Sequence, residues 1–317
     1  MEASFVIPLF NCVDLTRECL RTLQATLPTG FAHEIILVDD GSTDDTRRWL
    51  ATLSPPCRVL LNERNLGFGA ACNRGAAAAT GHLLFFLNSD LVFPPGWFEP
   101  LCAALVTRPE AGLVGNVQLR ADDGSVDHAG LRFNHQGKPV HETSMPDGPA
   151  VREVPALTGA CFGIRAATWR ELGGFDEGFR NGGEDVDLCL RARSRGHPNL
   201  IALRSVVKHH ISRSPGRKER DEENSRRLAL RWRQAIGPLA ASDWSRHYLD
   251  SVWSQPHDAA GFLEGARAWL HIAGLRTDPG SFARQGAQRA IEIELARWRH
   301  LLDGAPADPP PFEPDVL

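Results

Sequence analysis

The stretch Leu83-Leu84-Phe85-Phe86-Leu87-Asn88-Ser89-Asp90 decides how this chain is read. Its five consecutive apolar residues are too few for a helix of ordinary length and predict a buried strand. The run stops at Asn88-Ser89-Asp90, which sets two oxygen-bearing side chains two positions apart at the strand's end. Ligands of open α/β sheets bind at the carboxyl ends of strands. A hard divalent cation takes oxygen ligands of this kind and fills its remaining positions with water and phosphate. A polar turn before Pro94-Pro95-Gly96 accounts for the same residues, because Asn, Ser and Asp are common turn formers.

Upstream, the pattern alternates. Phe5-Val6-Ile7 reads as a short strand ended by Pro8-Leu9-Phe10-Asn11, and Leu15, Cys19, Leu20, Leu23 and Leu27 share one face of a helix over 15–27. Glu34 to Val38 reads as a second buried strand, closed by Asp39-Asp40-Gly41-Ser42-Thr43-Asp44. Ser42 or Thr43 suits the cap of a following helix. Asp39 and Asp40 suit either capping or a hydrogen bond to a base or ribose. Arg58 to Leu61 is a third strand, and Asn65-Leu66-Gly67-Phe68-Gly69 leads into an alanine-rich helix over 70–79. Strands alternating with helices predict a parallel sheet with crossover helices. Gly67 and Gly69 do not make a dinucleotide fingerprint: the third glycine is missing and the segment follows the third strand.

Composition narrows the class. The chain has 317 residues, 42% hydrophobic and 23% charged, as in ordinary globular proteins. Its 35 basic against 39 acidic residues give a net charge of −4, with no electrostatic case for binding nucleic acid. Seven cysteines, without a C-x-x-C pair, predict reduced thiols in a cytoplasmic protein. Glu2 and the lack of a basic opening predict no signal peptide. No apolar run approaches the roughly 20 residues that a bilayer span needs.

Residues 113–155 predict one strand at Leu113 to Val117, then hairpins or loops in which His128, His135 and His141 read as loop histidines. Leu157 to Arg165 predicts a strand whose small residues allow close approach of a ligand or backbone. After the turn Gly173-Gly174-Phe175-Asp176-Glu177, the segment Gly182-Gly183-Glu184-Asp185-Val186-Asp187 opens a helix with three carboxylates in its first turn. Acidic residues are favoured there by the helix dipole alone. Val206 to Ser212 predicts a last short strand, in which adjacent His209 and His210 point to opposite faces. Between Arg213 and Arg233, 8 basic residues face 4 acidic ones. That stretch fits a solvated helix packed through Leu228 and Trp232, or a surface for an acidic acceptor or an anionic membrane. Helices are expected at 219–236, 262–273 and 281–302.

The motifs Pro8 to Asn11, Glu34 to Asp44, Asn65 to Gly75 and Leu87 to Asp90, followed by GGFDE and E-D-V-D-L-C-L-R, resemble the family-two glycosyltransferases, in particular their bacterial rhamnosyltransferase-like branch. The resemblance covers roughly residues 4–233. It implies the GT-A fold, a Rossmann-like three-layer α/β/α core with a mostly parallel sheet. The expected organisation is a glycosyltransferase domain over 1–215, a helical C-terminal extension over 216–303 and a proline-rich tail over 304–317. It further implies inverting transfer of a sugar from a UDP- or dTDP-linked donor to a glycan or lipid-linked glycan acceptor, assisted by Mg²⁺ or Mn²⁺. Carried over residue by residue, Asp185 is the general base, and Asp90 and His209 are metal ligands. Pro8, Phe10, Asn11, Asp39, Asp40, Gly67, Gly69, Asn73, Asn88 and Ser89 bind the donor nucleotide, while Gly159, Glu184 and Asp187 face the sugar or acceptor. Asn88 stands where the family often has the first Asp of Asp-x-Asp, so one charge is missing and Asp90 is the principal anionic ligand. Peripheral membrane contact at the inner face and oligomer formation are compatible with this reading. A sugar-phosphate nucleotidylyltransferase would carry a Gly-rich loop where Pro8 to Asn11 stands, and a non-catalytic glycan-binding protein would have lost Asp90 or Asp185.

Overall fold

A computed structural model of the chain describes residues 2–210, 220–251 and 259–304. Its first strands are β1 (Ala3–Leu9), β2 (His33–Asp39), β3 (Cys57–Leu61) and β4 (Leu83–Leu87). Helices α1 (Val13–Thr26), α2 (Thr46–Leu50) and α3 (Phe68–Ala78) alternate with them. Next come β5 (Leu91–Val92), α4 (Phe98–Thr107), β6 (Val114–Arg120), β7 (Val126–His128), β8 (Leu131–Phe133), β9 (Pro139–His141) and β10 (Val151–Val154). The series ends with β11 (Cys161–Arg165), α5 (Ala166–Leu172), α6 (Glu184–Ser194), β12 (Asn199–His209), α7 (Asp221–Ser251), α8 (Ala259–Ile272) and α9 (Ser281–Asp303).

Ten strands form one sheet, whose main path runs β10-β12-β6-β11-β4-β1-β2-β3, with β5 on β12 and β7 on β6. β1 is parallel to β2 and β4, β2 to β3, and β6 to β12. β11 runs antiparallel between β4 and β6, and β10 antiparallel to β12. Successive residues of a strand face opposite sides, which sorts the core into two layers. Phe5 and Phe85, ring centroids 5.2 Å apart, pack with Phe98 of α4 and with Cys19, Leu20 and Leu23 of α1. On the other face Phe86 stacks on Phe162 at 4.9 Å and on Trp169 of α5 at 4.4 Å. α3 lies so close to that face that a Cβ on Gly75 would stand 2.4 Å from Val6 Cγ1.

Strand order reverses between β1 and β4: the chain leaves β1 toward β2 and β3, then returns to the far side of β1 as β4. Such a switch point leaves a crevice at the carboxyl ends of the strands. Pro8 to Cys12 and Asn88 to Asp90 lie there.

By contacts the chain divides into two compact units, residues 1–131 with 141–220 and residues 132–140 with those from Asp221 on. In the second, α7 packs on α9 with Ile236, Ala240, Ile291, Leu295 and Trp298 buried, α8 packs on α7, and Gly137 lies against Ile291. The helix expected over 219–236 runs on to Ser251, because small buried residues such as Ala240, Ala241 and Ser245 continue its packed face. Within the basic segment Arg226 makes two hydrogen bonds to Asp303, at 2.7 and 2.6 Å; residues 211–219 of it, and residues 305–317 of the proline-rich tail, lie outside the described residues. No helix among the described residues is long and apolar enough to cross a membrane, and none of the seven cysteines, all of them described, forms a disulfide.

Several local expectations need correction. The strand read over 157–165 begins only at Cys161, because the amides of Leu157, Thr158 and Gly159 turn to side chains instead of a neighbouring strand. The last strand is 11 residues long, β12, its register broken by a bulge between Ala202 and Val206. Neither Ser42 nor Thr43 caps a helix: Ser42 Oγ accepts the amide of Asn11, and α2 starts at Thr46.

Candidate active site

A cleft of about 210 Å³ opens at the switch point, wholly within the first unit. One wall runs from the end of β1 into the start of α1, with Pro8, Leu9, Phe10, Cys12 and Leu15; the floor holds Asn88, Ser89 and Asp90. Opposite stand Thr158, Gly159 and Ala160 before β11, and Asn181, Gly182, Glu184 and Asp185 at the start of α6. Asp40, Asn65, Phe68 and Ala71 complete the lining.

Asp185 is held at both oxygens. Oδ2 accepts the Gly159 amide at 2.8 Å and Oδ1 accepts the Val186 amide at 2.8 Å. The first bond demands a close approach, since a Cβ on Gly159 would lie 3.3 Å from Asp185 Cβ and 3.2 Å from the Phe68 ring. The chain reaches α6 through Asn181, Gly182 and Gly183, all with positive φ. Asn181 Oδ1 in turn accepts the Phe68 amide at 3.3 Å, linking this loop to α3. Glu184 lines the cleft with its carboxylate turned to the Gly182 amide at 2.7 Å. Asp187 does not line it: fully buried, it pairs with Arg191 at 2.8 Å, one turn along α6.

Asp90, at the floor, has its Oδ1 3.2 Å from Nε2 of His209, which is buried and not itself part of the lining, and Asp127 Oδ2 lies 3.9 Å from His209 Nδ1. Asp90 Oδ1 and both ring nitrogens are buried without hydrogen-bond partners among the described residues. Burial pushes the His209 pKa down, yet the Asp127 and Asp90 carboxylates outweigh it and hold it at about 9. A divalent cation that displaces the Nε2 proton would find that nitrogen beside a buried carboxylate oxygen without a hydrogen-bond partner, a donor pair that suits it. No group of three or more ligating side chains occurs among the described residues. Diphosphate oxygens and water would therefore fill most of the shell, as Mg²⁺ sites ordinarily allow. His210 turns the other way, 3.8 Å from Glu18.

Not every sequence-predicted nucleotide residue faces the cleft. Pro8, Phe10, Asn88, Ser89 and Asp40 do. Asp40, however, spends its oxygens on Asn62 Nδ2 at 2.6 Å and on the amides of Leu66 and Gly67, so it shapes the loop leading to α3. Asp39 is fully buried against Arg47 at 2.7 Å. Asn11 braces the neighbouring loop by accepting the Thr43 amide at 2.8 Å. Asn73 clasps Phe175, accepting its amide and donating to its carbonyl, and Gly69 packs against the same residue; Gly67 serves as the cap of α3. Asp39, Asn11, Asn73, Gly67 and Gly69 thus build the walls rather than the lining.

Sequence reasoning missed Asp127 and His128. His128 is not a loop histidine but 1% exposed, in β7. Its Nε2 accepts the Thr158 amide at 3.5 Å, and burial pushes its pKa down to about 3, so it is neutral. A three-residue strand amid glycines and aspartates offers no periodicity by which to find it.

The model of glycosyl transferase family 2 matches residues 4–173, so Asp185 and His209 fall beyond the matched segment. The O-antigen biosynthesis protein RfbC of Myxococcus xanthus is 33% identical over 67% of this chain and 18% of its own length. The N-acetylglucosaminyl-diphospho-decaprenol L-rhamnosyltransferase of Mycobacterium tuberculosis is 30% identical over 61% of this chain and 71% of its own. The chain spans only 18%, 26% and 42% of three curated relatives it matches. In fold it is similar to GalNAc-T7 bound to UDP, GalNAc and Mn²⁺ (TM-score 0.61, 18% identity, 88% of this chain and 55% of that one). It is also similar to Staphylococcus aureus TarS 1–349 with UDP-GlcNAc (TM-score 0.59, 16% identity, 95% and 92%). On the extent of the family match, this chain belongs to glycosyl transferase family 2.

Proposed function

We propose that this chain is an inverting glycosyltransferase that moves a sugar from a nucleoside-diphosphate sugar to a hydroxyl of a glycan acceptor. The observation that carries the reading is a single cleft with Asp185 on one wall and Asp90 at its floor, the unsatisfied Oδ1 of Asp90 lying 3.2 Å from the buried His209. Inversion requires the acceptor oxygen to attack the anomeric carbon on the face opposite the departing diphosphate. The acceptor O–H proton passes to Asp185, the new C–O bond forms, and the bond from the anomeric carbon to the diphosphate oxygen breaks with its electron pair on that oxygen. Asp185 suits the base role because two amide N–H bonds fix its carboxylate while one edge of the side chain stays in the cleft. Phe10, with Pro8 and Leu9, offers the apolar wall for a base, and Asn88 and Ser89 offer hydrogen bonds near the diphosphate. Mg²⁺ or Mn²⁺ held by Asp90 and His209 would supply Lewis-acid stabilisation of the diphosphate charge.

For the acceptor we favour a lipid-diphosphate-linked glycan, the class named for the mycobacterial relative. The test is nucleotide release from a panel of UDP-, dTDP- and GDP-sugars with Mg²⁺ or Mn²⁺, with and without lipid-linked and soluble glycan acceptors. One donor should respond to metal and acceptor together. Release from none of them, with folded protein, would refute the proposal.

A further inference from the structure

A ligating imidazole needs its second nitrogen fixed as well as its first. Metal-bound histidines almost always donate the far N–H to a carboxylate or carbonyl, which sets tautomer and ring plane, and losing that partner typically costs 10–100-fold in metal affinity. Here His209 presents Nε2 to Asp90, so Nδ1 is left for this task. Nδ1 is buried and makes no hydrogen bond, and the Asp127 carboxylate stands 3.9 Å away. That gap is longer than a hydrogen bond but within reach of a side-chain rotation. The backbone on both sides is fixed. β7 pairs with β6 through Gln118↔His128 and Leu119↔Val126, while β6 carries β12 with Arg120 opposite His209. The Asp127 carbonyl is itself held by His141 Nδ1 at 3.1 Å. Nothing in Asn88-Ser89-Asp90 or the His209-His210 pair requires a carboxylate at 127.

We propose that Asp127 is a positioning residue of the metal site. It accepts Nδ1–H of His209 and thereby keeps the Nε2 lone pair beside Asp90 available to a divalent cation. The inference rests on the metal-assisted reading above. The rival explanation is a salt link that merely ties β7 to the sheet, and the two differ in what they couple to.

The experiment titrates Mn²⁺ alone into the full chain, with free Mn²⁺ read by electron paramagnetic resonance. Variants are Asp127→Asn, Asp127→Ala, His209→Ala and the double Asp127→Ala/His209→Ala, each checked by thermal unfolding. Asp127→Ala should weaken Mn²⁺ binding about 10–100-fold. Asp127→Asn, which keeps an accepting oxygen, should weaken it less, and it carries the test if the Ala variant does not fold. In the His209→Ala background, Asp127→Ala should cost nothing further, because the two act through one nitrogen. Mn²⁺ affinity within twofold of wild type for both Asp127 variants, or equal weakening with His209 absent, overturns the positioning role while leaving the metal site intact. A wild-type protein that takes no Mn²⁺ overturns the metal reading and this inference with it.

Discussion

Replacing Asp185 by Asn separates the chemistry of the cleft from its shape. The carboxylate accepts one amide at each oxygen, from Gly159 and from Val186, both at 2.8 Å. An Asn side chain has one accepting oxygen, so one of those N–H groups must face an NH₂ instead. Leaving a buried donor unpaired costs about 1–3 kcal/mol, and Asp185 is partly exposed, which favours the low end. A modest fall in melting temperature is therefore expected. The catalytic loss should be larger, because general-base catalysis contributes about 10²–10⁴-fold. At 1.36 kcal/mol per tenfold, that corresponds to about 2.7–5.5 kcal/mol of transition-state stabilisation. Steady-state nucleotide release with the responsive donor, alongside calorimetric binding of the nucleotide, reads both quantities. The expected result is kcat down by two to four orders of magnitude with nucleotide Kd within about threefold of wild type. A folded Asp185→Asn protein turning over within tenfold of wild type would refute the assignment and direct attention to Glu184, the other carboxylate lining that wall.

His209→Ala should raise the Mn²⁺ concentration needed for half-maximal nucleotide release, whereas His210→Ala, paired toward Glu18, should leave it unchanged; the reverse result means the wrong histidine has been placed at the metal. Glu34 supports the opposite end of the sheet: burial raises its pKa, but hydrogen bonds from Thr80, Arg58 and Ser4 prevail and lower it to about 2. Its contribution, at most about 3 kcal/mol, is present above the usual 4.5 and lost as pH falls toward 2. Urea unfolding at pH 7 should find Glu34→Gln less stable, with the difference closing by about pH 2–3; a constant difference across that range contradicts the network. Gly75→Ala would force a Cβ to 2.4 Å from Val6 Cγ1 and should cost about 1–3 kcal/mol by overpacking, visible as a lower denaturant midpoint; an unchanged midpoint means α3 lifts from the sheet without strain.

How much of this was legible follows from the range over which each signal acts. Leu83 to Leu87 and Ile35 to Val38 announce buried parallel strands because a strand covered on both faces has no polar alternation to obscure it. Their polar ends, Asn88-Ser89-Asp90 and Asp39-Asp40, mark the edge of the sheet where the cleft opens, and Glu184-Asp185 marks the start of α6. What those residues do there is a matter of partners. Asp39 and Asp40 are neighbours in sequence, yet both are consumed by the protein, one by Arg47 and the other by Asn62 and the 66–67 amides. Asp185 and Asp187 look equivalent two positions apart, but α6 turns one to the cleft and buries the other against Arg191. Asp127 and His128 carry no motif at all; the pairing of β7 with β6 sets Asp127 near His209 and His128 under Thr158. Local sequence determined the strands, the family and the stretches that bear its chemistry, since apolar runs and capping residues act over a few positions. Only the tertiary structure decided which carboxylates and imidazoles remain available, because hydrogen bonds and ion pairs are settled by residues tens of positions apart that the sheet brings side by side.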